Sequence, residues 1–206
     1  MPKLGTNTLV FTMRQIFIFL LSAVVNIYTT NKFSSLTFGQ FAILNSLVMG
    51  FSFFAEPGFF VGFIPSKEKL TKDYLLKIFT TTTFIFILLI LLSLIIIPFL
   101  NLDKVYTRFI YATFIISYFT ALQSIIFTKL QKEMDISKMA IIDIFSTLVY
   151  SATLLSLAQQ NFQIDAFIYS LVAKATAGMI LAQIICRIFF RPVFFKPDPI
   201  FLQQIK

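Results

Sequence analysis

From residue 78 to residue 100 the chain carries no charged side chain. A helix needs about 20 mainly apolar residues to cross the hydrocarbon core of a bilayer, so this run alone is long enough to span one. Five more runs have the same character, at 11–30, 37–64, 109–127, 139–158 and 165–190. Open sheets cannot satisfy their backbone in lipid and barrel strands would alternate apolar with polar residues, so the six runs are expected to be helices. With 58% hydrophobic residues and a mean hydropathy of +0.87, the 206-residue chain has too little polar surface to cover a water-soluble globule. The expected fold class is therefore all-α: a polytopic membrane protein whose six transmembrane helices form one bundle over residues 1–191.

The segments between the runs fix an orientation. With the N-terminus inside, the inner flanks and loops hold 13 of the 17 lysines and arginines, the outer ones hold Lys32, Lys104 and Arg108, and Lys174 lies within the membrane. Cytoplasmic segments retain positive charge, so both chain ends are expected in the cytosol, and a count of five or seven spans would break the alternation. The first run is read as a retained helix rather than a signal peptide, because no small-x-small cleavage site follows Leu20. The run at 37–64 exceeds a straight crossing, and Pro57 and Gly58 are read as a hinge or kink within it. Pro192, Pro197 and Pro199 prevent residues 192–206 from continuing the last helix, and that segment is read as a linker toward a second bundle.

Charges inside a span cost about 2.5–3.5 kcal/mol each at the bilayer centre unless they are paired or wet. Arg14, Glu56 and Asp143 fall at similar depth in the inner leaflet on three different spans, so Arg14 is expected to pair with one of the two carboxylates. Such a pair could be a static staple or a gate, and the sequence leaves both open. Lys174 sits near the midplane with no acidic residue expected at its depth; Asp165 is about 13 Å away along the helix axis. A watery cavity that admits an anionic substrate would resolve this charge, as would a partner outside the chain or a neutral amine. Lys174 and Arg14 are therefore candidate substrate-binding residues, and Glu56 and Asp143 candidate coupling or gating carboxylates.

Other features are read structurally. Thr80 to Thr83 should bond back to their own helix or mark a close interface, and Gly50, Gly58, Gly62 and Gly178 are candidate close approaches. The 28 phenylalanines are read mainly as lipid-facing bulk. One cysteine, Cys186, and the absence of histidine exclude disulfide frameworks, ordinary zinc sites and imidazole catalysis. Neither metal nor cofactor is expected. The +8 formal charge lies in short loops between apolar runs, which suits anionic lipid headgroups better than nucleic acid. No phosphate-cradling glycine loop is present, and Glu133 with Asp135 in a basic loop is the nearest approach to paired carboxylates, so the chain is not expected to be an enzyme.

Phe38-Gly39-Gln40-Phe41 opening the second run, Glu56-Pro57-Gly58, and Leu130-Gln131-Lys132-Glu133-Met134-Asp135 followed by Ala140-Ile141-Ile142-Asp143, in six spans of this order, carry a resemblance. The chain resembles the N-terminal half of a polysaccharide or oligosaccharide flippase of the multidrug/oligosaccharidyl-lipid/polysaccharide exporter superfamily. The resemblance implies two six-helix bundles that rock about a central cavity and carry a polyprenyl-pyrophosphate-linked glycan from the inner to the outer leaflet of a bacterial inner membrane. It also implies membrane lipids and a second six-helix bundle, or a second copy of the chain, as partners. A multidrug or ion-coupled exporter of the same superfamily is the alternative, and because one bundle is present the chain is also read as a fragment or truncated product.

Overall fold

The computed structural model describes residues 2–55 and 71–189. Among the described residues six α-helices follow one another: α1 Pro2–Lys32, α2 Ser35–Ala55, α3 Lys72–Ile96, α4 Lys104–Lys132, α5 Ile136–Gln159 and α6 Gln163–Cys186. A 3-10 turn, Ile97–Leu100, ends α3 where Pro98 interrupts the helical hydrogen bonding. No strand occurs among the described residues. The expectation of an all-α polytopic membrane protein holds.

Among the described residues five helices, all but α2, are long and apolar enough to cross a membrane. The 21 residues described for α2 extend about 31 Å at 1.5 Å per residue, and they too are apolar. Helices outrun the apolar segments that announced them: α4 begins five residues before 109 and ends five residues after 127. The bilayer limits the apolar part of a span, whereas the helix continues through the headgroup region as long as its polar residues favour it. Glu56, Pro57, Gly58, Gly62 and the loop that follows lie outside the described residues, as does 190–206.

Most inter-helix turns are short, so successive helices run in opposite directions. α5 packs along α6, α6 along α4, α1 against the free side of α5, and α3 against the outer side of α4. α2 leaves α1 at the 33–34 turn and packs on α4 and α6 instead. The first two helices therefore diverge from a common knot. Phe167 is its centre: its ring stacks on Phe41 with centroids 4.2 Å apart and meets Phe33 at 5.1 Å and Phe38 at 5.9 Å. Val25, Leu154, Ala158 and Ala166 complete the cluster.

Phe38 and Phe41 thus join the helices at one end rather than facing lipid. Phe79, Phe86, Phe109 and Phe114 are buried as well. The reading of the phenylalanines as mainly lipid-facing is corrected to a division between core and periphery; Phe17, Phe19 and Phe84 remain exposed. At the opposite end Ile126, Leu130, Met139, Ile142 and Ala182 form a second apolar cluster across α4, α5 and α6. Between the two clusters the helices enclose the polar residues described next.

Candidate functional site

Arg14 on α1 reaches Asp143 on α5, with Nη2 2.5 Å from Oδ2 and both side chains less than one-fifth exposed. The contact is one of charge rather than an aligned hydrogen bond, for neither Arg14 Nε nor Asp143 Oδ2 makes a hydrogen bond among the described residues. Asp143, one of the two carboxylates expected to pair with Arg14, does so; the other, Glu56, lies outside the described residues. The guanidinium also stands near the Phe11 ring, 5.4 Å from its centroid. Ser146, about one turn on, donates its hydroxyl to the Asp143 backbone carbonyl (3.1 Å).

Asp143 also lines a cavity of about 350 Å³ built from four helices. Val48 comes from α2, Thr120, Gln123, Ser124 and Phe127 from α4, Asp143 and Ser146 from α5, and Leu171, Lys174 and Ala175 from α6. Lys174 is exposed into this space, its Nζ 5.7 Å from the centroid of the Tyr150 ring. Although it does not share the depth of Lys174, Asp143 borders the same cavity, so a carboxylate faces the space that the amine enters. Counted from the ends of their antiparallel helices, Asp143 and Lys174 differ by about 7 Å in depth, which a long lysine stem can span.

Asp165, the carboxylate judged too far from Lys174, pairs instead with Arg108 at 3.3 Å near the starts of α4 and α6. Two cations and one carboxylate thus meet at or beside the cavity among the described residues, leaving a surplus of one positive charge. The pair of Arg14 with Asp143 forms the wall between this cavity and an apolar groove of about 650 Å³ along α1 and α5, lined by Leu9, Met13, Phe17, Leu20, Ile141 and Ile144 among others.

Uncharged polar groups complete the site, and they were not singled out in the sequence. Ser124 donates to the Ala121 carbonyl (2.8 Å) and so is held against its own helix. Thr113 and Ser117, fully buried higher on the same face of α4, have hydroxyls without a hydrogen-bond partner among the described residues. Positions 113, 117, 120 and 124 recur at helical spacing, a signal that a search for polar periodicity within an apolar run would have found. Gly178 does mark a close approach, to Gln123 of α4, whereas a side chain at Gly50 would meet no atom within 4 Å. Thr80, Thr81 and Thr83 bond back to carbonyls one turn earlier, and Thr83 also meets the Tyr118 hydroxyl across to α4 at 3.2 Å.

The family model described as polysaccharide biosynthesis protein matches residues 4–205, nearly the whole chain. The chain belongs to this family. No curated protein and no solved structure gives a match. Membership of the polysaccharide biosynthesis family supports a role in making or exporting polysaccharide for this helical membrane protein.

Proposed function

We propose that the chain moves a lipid-linked oligosaccharide or polysaccharide repeat unit from the inner to the outer leaflet of a bacterial inner membrane, acting with a second six-helix bundle. Both chain ends face the cytosol in this reading, and no covalent chemistry is performed. The observation that carries it is the cavity bearing Lys174 at membrane depth in a polysaccharide biosynthesis family member. An amine in a wet cavity attracts an anion, and the phosphate of a polyprenyl-pyrophosphate carrier is an anion whose apolar tail stays in lipid.

The volume agrees with half of a site. About 350 Å³ lies at the low end for ligand pockets and admits a headgroup fragment rather than a repeat unit, so a facing bundle would supply the rest of the wall. Expression in cells that have lost export of a surface glycan, with and without a supplied second bundle, tests the reading. Restored surface glycan is the expected result, with Lys174→Gln lowering it at least tenfold. Resistance to small cationic compounds without any restored glycan would overturn the reading in favour of a drug exporter.

A further inference from the structure

Gln123 is seated in a notch. A Cβ built at Gly178 would lie 2.5 Å from Gln123 Oε1, 3.1 Å from Cδ and 3.3 Å from Nε2, so the amide fills the space that any side chain at 178 would take. Gln123 also lines the polar cavity, and its amide makes no hydrogen bond with another described residue. The side chain is only part-buried and opens on the cavity, so its polar atoms are available to a ligand there. The side chain offers a carbonyl acceptor and two N–H donors, whereas Lys174 offers donors alone.

Gly178 follows Lys174 by four residues, so the two positions are neighbours on one face of α6, about 5–6 Å apart. The seated amide therefore stands one helical turn from the cation. Ser124 and Ser146 commit their protons to their own backbone carbonyls. Thr120, one turn from Gln123 on α4, faces the same cavity.

We propose that Gln123, held by Gly178, hydrogen-bonds the uncharged groups of the sugar next to the phosphate, its hydroxyl or acetamido substituents, while Lys174 holds the phosphate itself. This rests on the lipid-linked glycan reading above and assigns the specificity of that site. Gln123 is a specificity residue and Gly178 a positioning residue, which acts only through the amide it seats.

The test uses the full chain in cells lacking their own flippase, supplied with two carrier-linked repeat units that differ in an acetamido or a hydroxyl group on the first sugar. Gln123→Ala and Gly178→Ala should each change the export ratio of the two repeat units about tenfold, and Lys174→Gln should lower both alike. Gly178→Ala added to Gln123→Ala should have no further effect, because the amide it displaces is already gone. If Gly178→Ala fails to accumulate in the membrane, the ratio measured for Gln123→Ala decides alone. An unchanged ratio in Gln123→Ala, with normal export by the parent chain, overturns this inference and leaves the flippase reading standing. Failure of the parent chain to export either repeat unit overturns both.

Discussion

Arg14 and Asp143 belong to helices that have few other polar ties, and each is mostly shielded from solvent. Removing one partner strands the other charge in a low-dielectric setting, whereas exchanging the two keeps the attraction. Arg14→Ala and Asp143→Ala should therefore each lower membrane accumulation, by the equivalent of about 3 kcal/mol, and Arg14→Asp combined with Asp143→Arg should recover most of it. Quantitative immunoblotting of membranes checks this, and absence of recovery would mean that the contact contributes no stability of its own. Lys174 poses a different question, since its amine opens on the cavity. In a Cys186→Ser background, Lys174→Cys should react with a membrane-impermeant charged thiol reagent, and Lys174→Cys that stays unmodified in open membrane fragments would place this position against lipid or protein.

Helix ends show how the chain turns without glycine. α4, α5 and α6 each finish with an amide two or three residues past the end reaching back over five residues: Asp135 N to Leu130 O (2.9 Å), Phe162 N to Leu157 O (3.2 Å) and Ile188 N to Gln183 O (3.1 Å). The residue between takes a left-handed conformation in every case, Met134 (φ 56°), Asn161 (φ 61°) and Arg187 (φ 51°). Asparagine tolerates this region, while an unbranched side chain such as methionine is strained there by about 1 kcal/mol. Met134 is exposed, so glycine would lose no core packing at this position. The bond from Asn7 Nδ2 to the Met134 carbonyl (3.3 Å) uses backbone and would survive. Met134→Gly should thus raise stability by up to about 1 kcal/mol, seen as a higher unfolding midpoint in detergent; a lower midpoint would show that the backbone entropy of glycine outweighs the relieved strain. The opposite device starts α3 and α5, where Thr71 Oγ1 accepts from Tyr74 N and Asp135 Oδ1 from Lys138 N, both at 3.3 Å.

At the scale of the molecule, α1 and α3 present rows of exposed apolar side chains, Leu9, Met13, Leu20 and Val24 on one and Phe84, Ile87, Leu91 and Ile95 on the other. Surface of this kind is stable only against lipid or another apolar body. Antiparallel helices set the 133–135 turn and the 160–162 turn at opposite ends of the bundle, and the placement of lysine and arginine predicts that the first lies in the cytosol. Reporter fusions should therefore give cytosolic activity at Glu133 and external activity at Gln160, and equal behaviour at the two sites would refute the six-span arrangement.

Apolar length and the placement of lysine and arginine determined the existence of the helices, their approximate limits and the depth at which Arg14 and Asp143 meet. These are properties of each segment against the bilayer, and they need no knowledge of its neighbours. Which faces meet is another matter. In water an amphipathic stripe marks the buried side of a helix, but here lipid and core are equally apolar, so the sequence of α4 or α5 carries little sign of its partner. Only the tertiary structure brought Asp143 against Arg14, drew Asp143 and Lys174 to one cavity, separated α1 from α2 around Phe167, and set the Gln123 amide over Gly178. Those choices follow from shape, from small residues that let helices approach and from the cost of leaving polar groups in hydrocarbon, all of which act between segments distant in the chain.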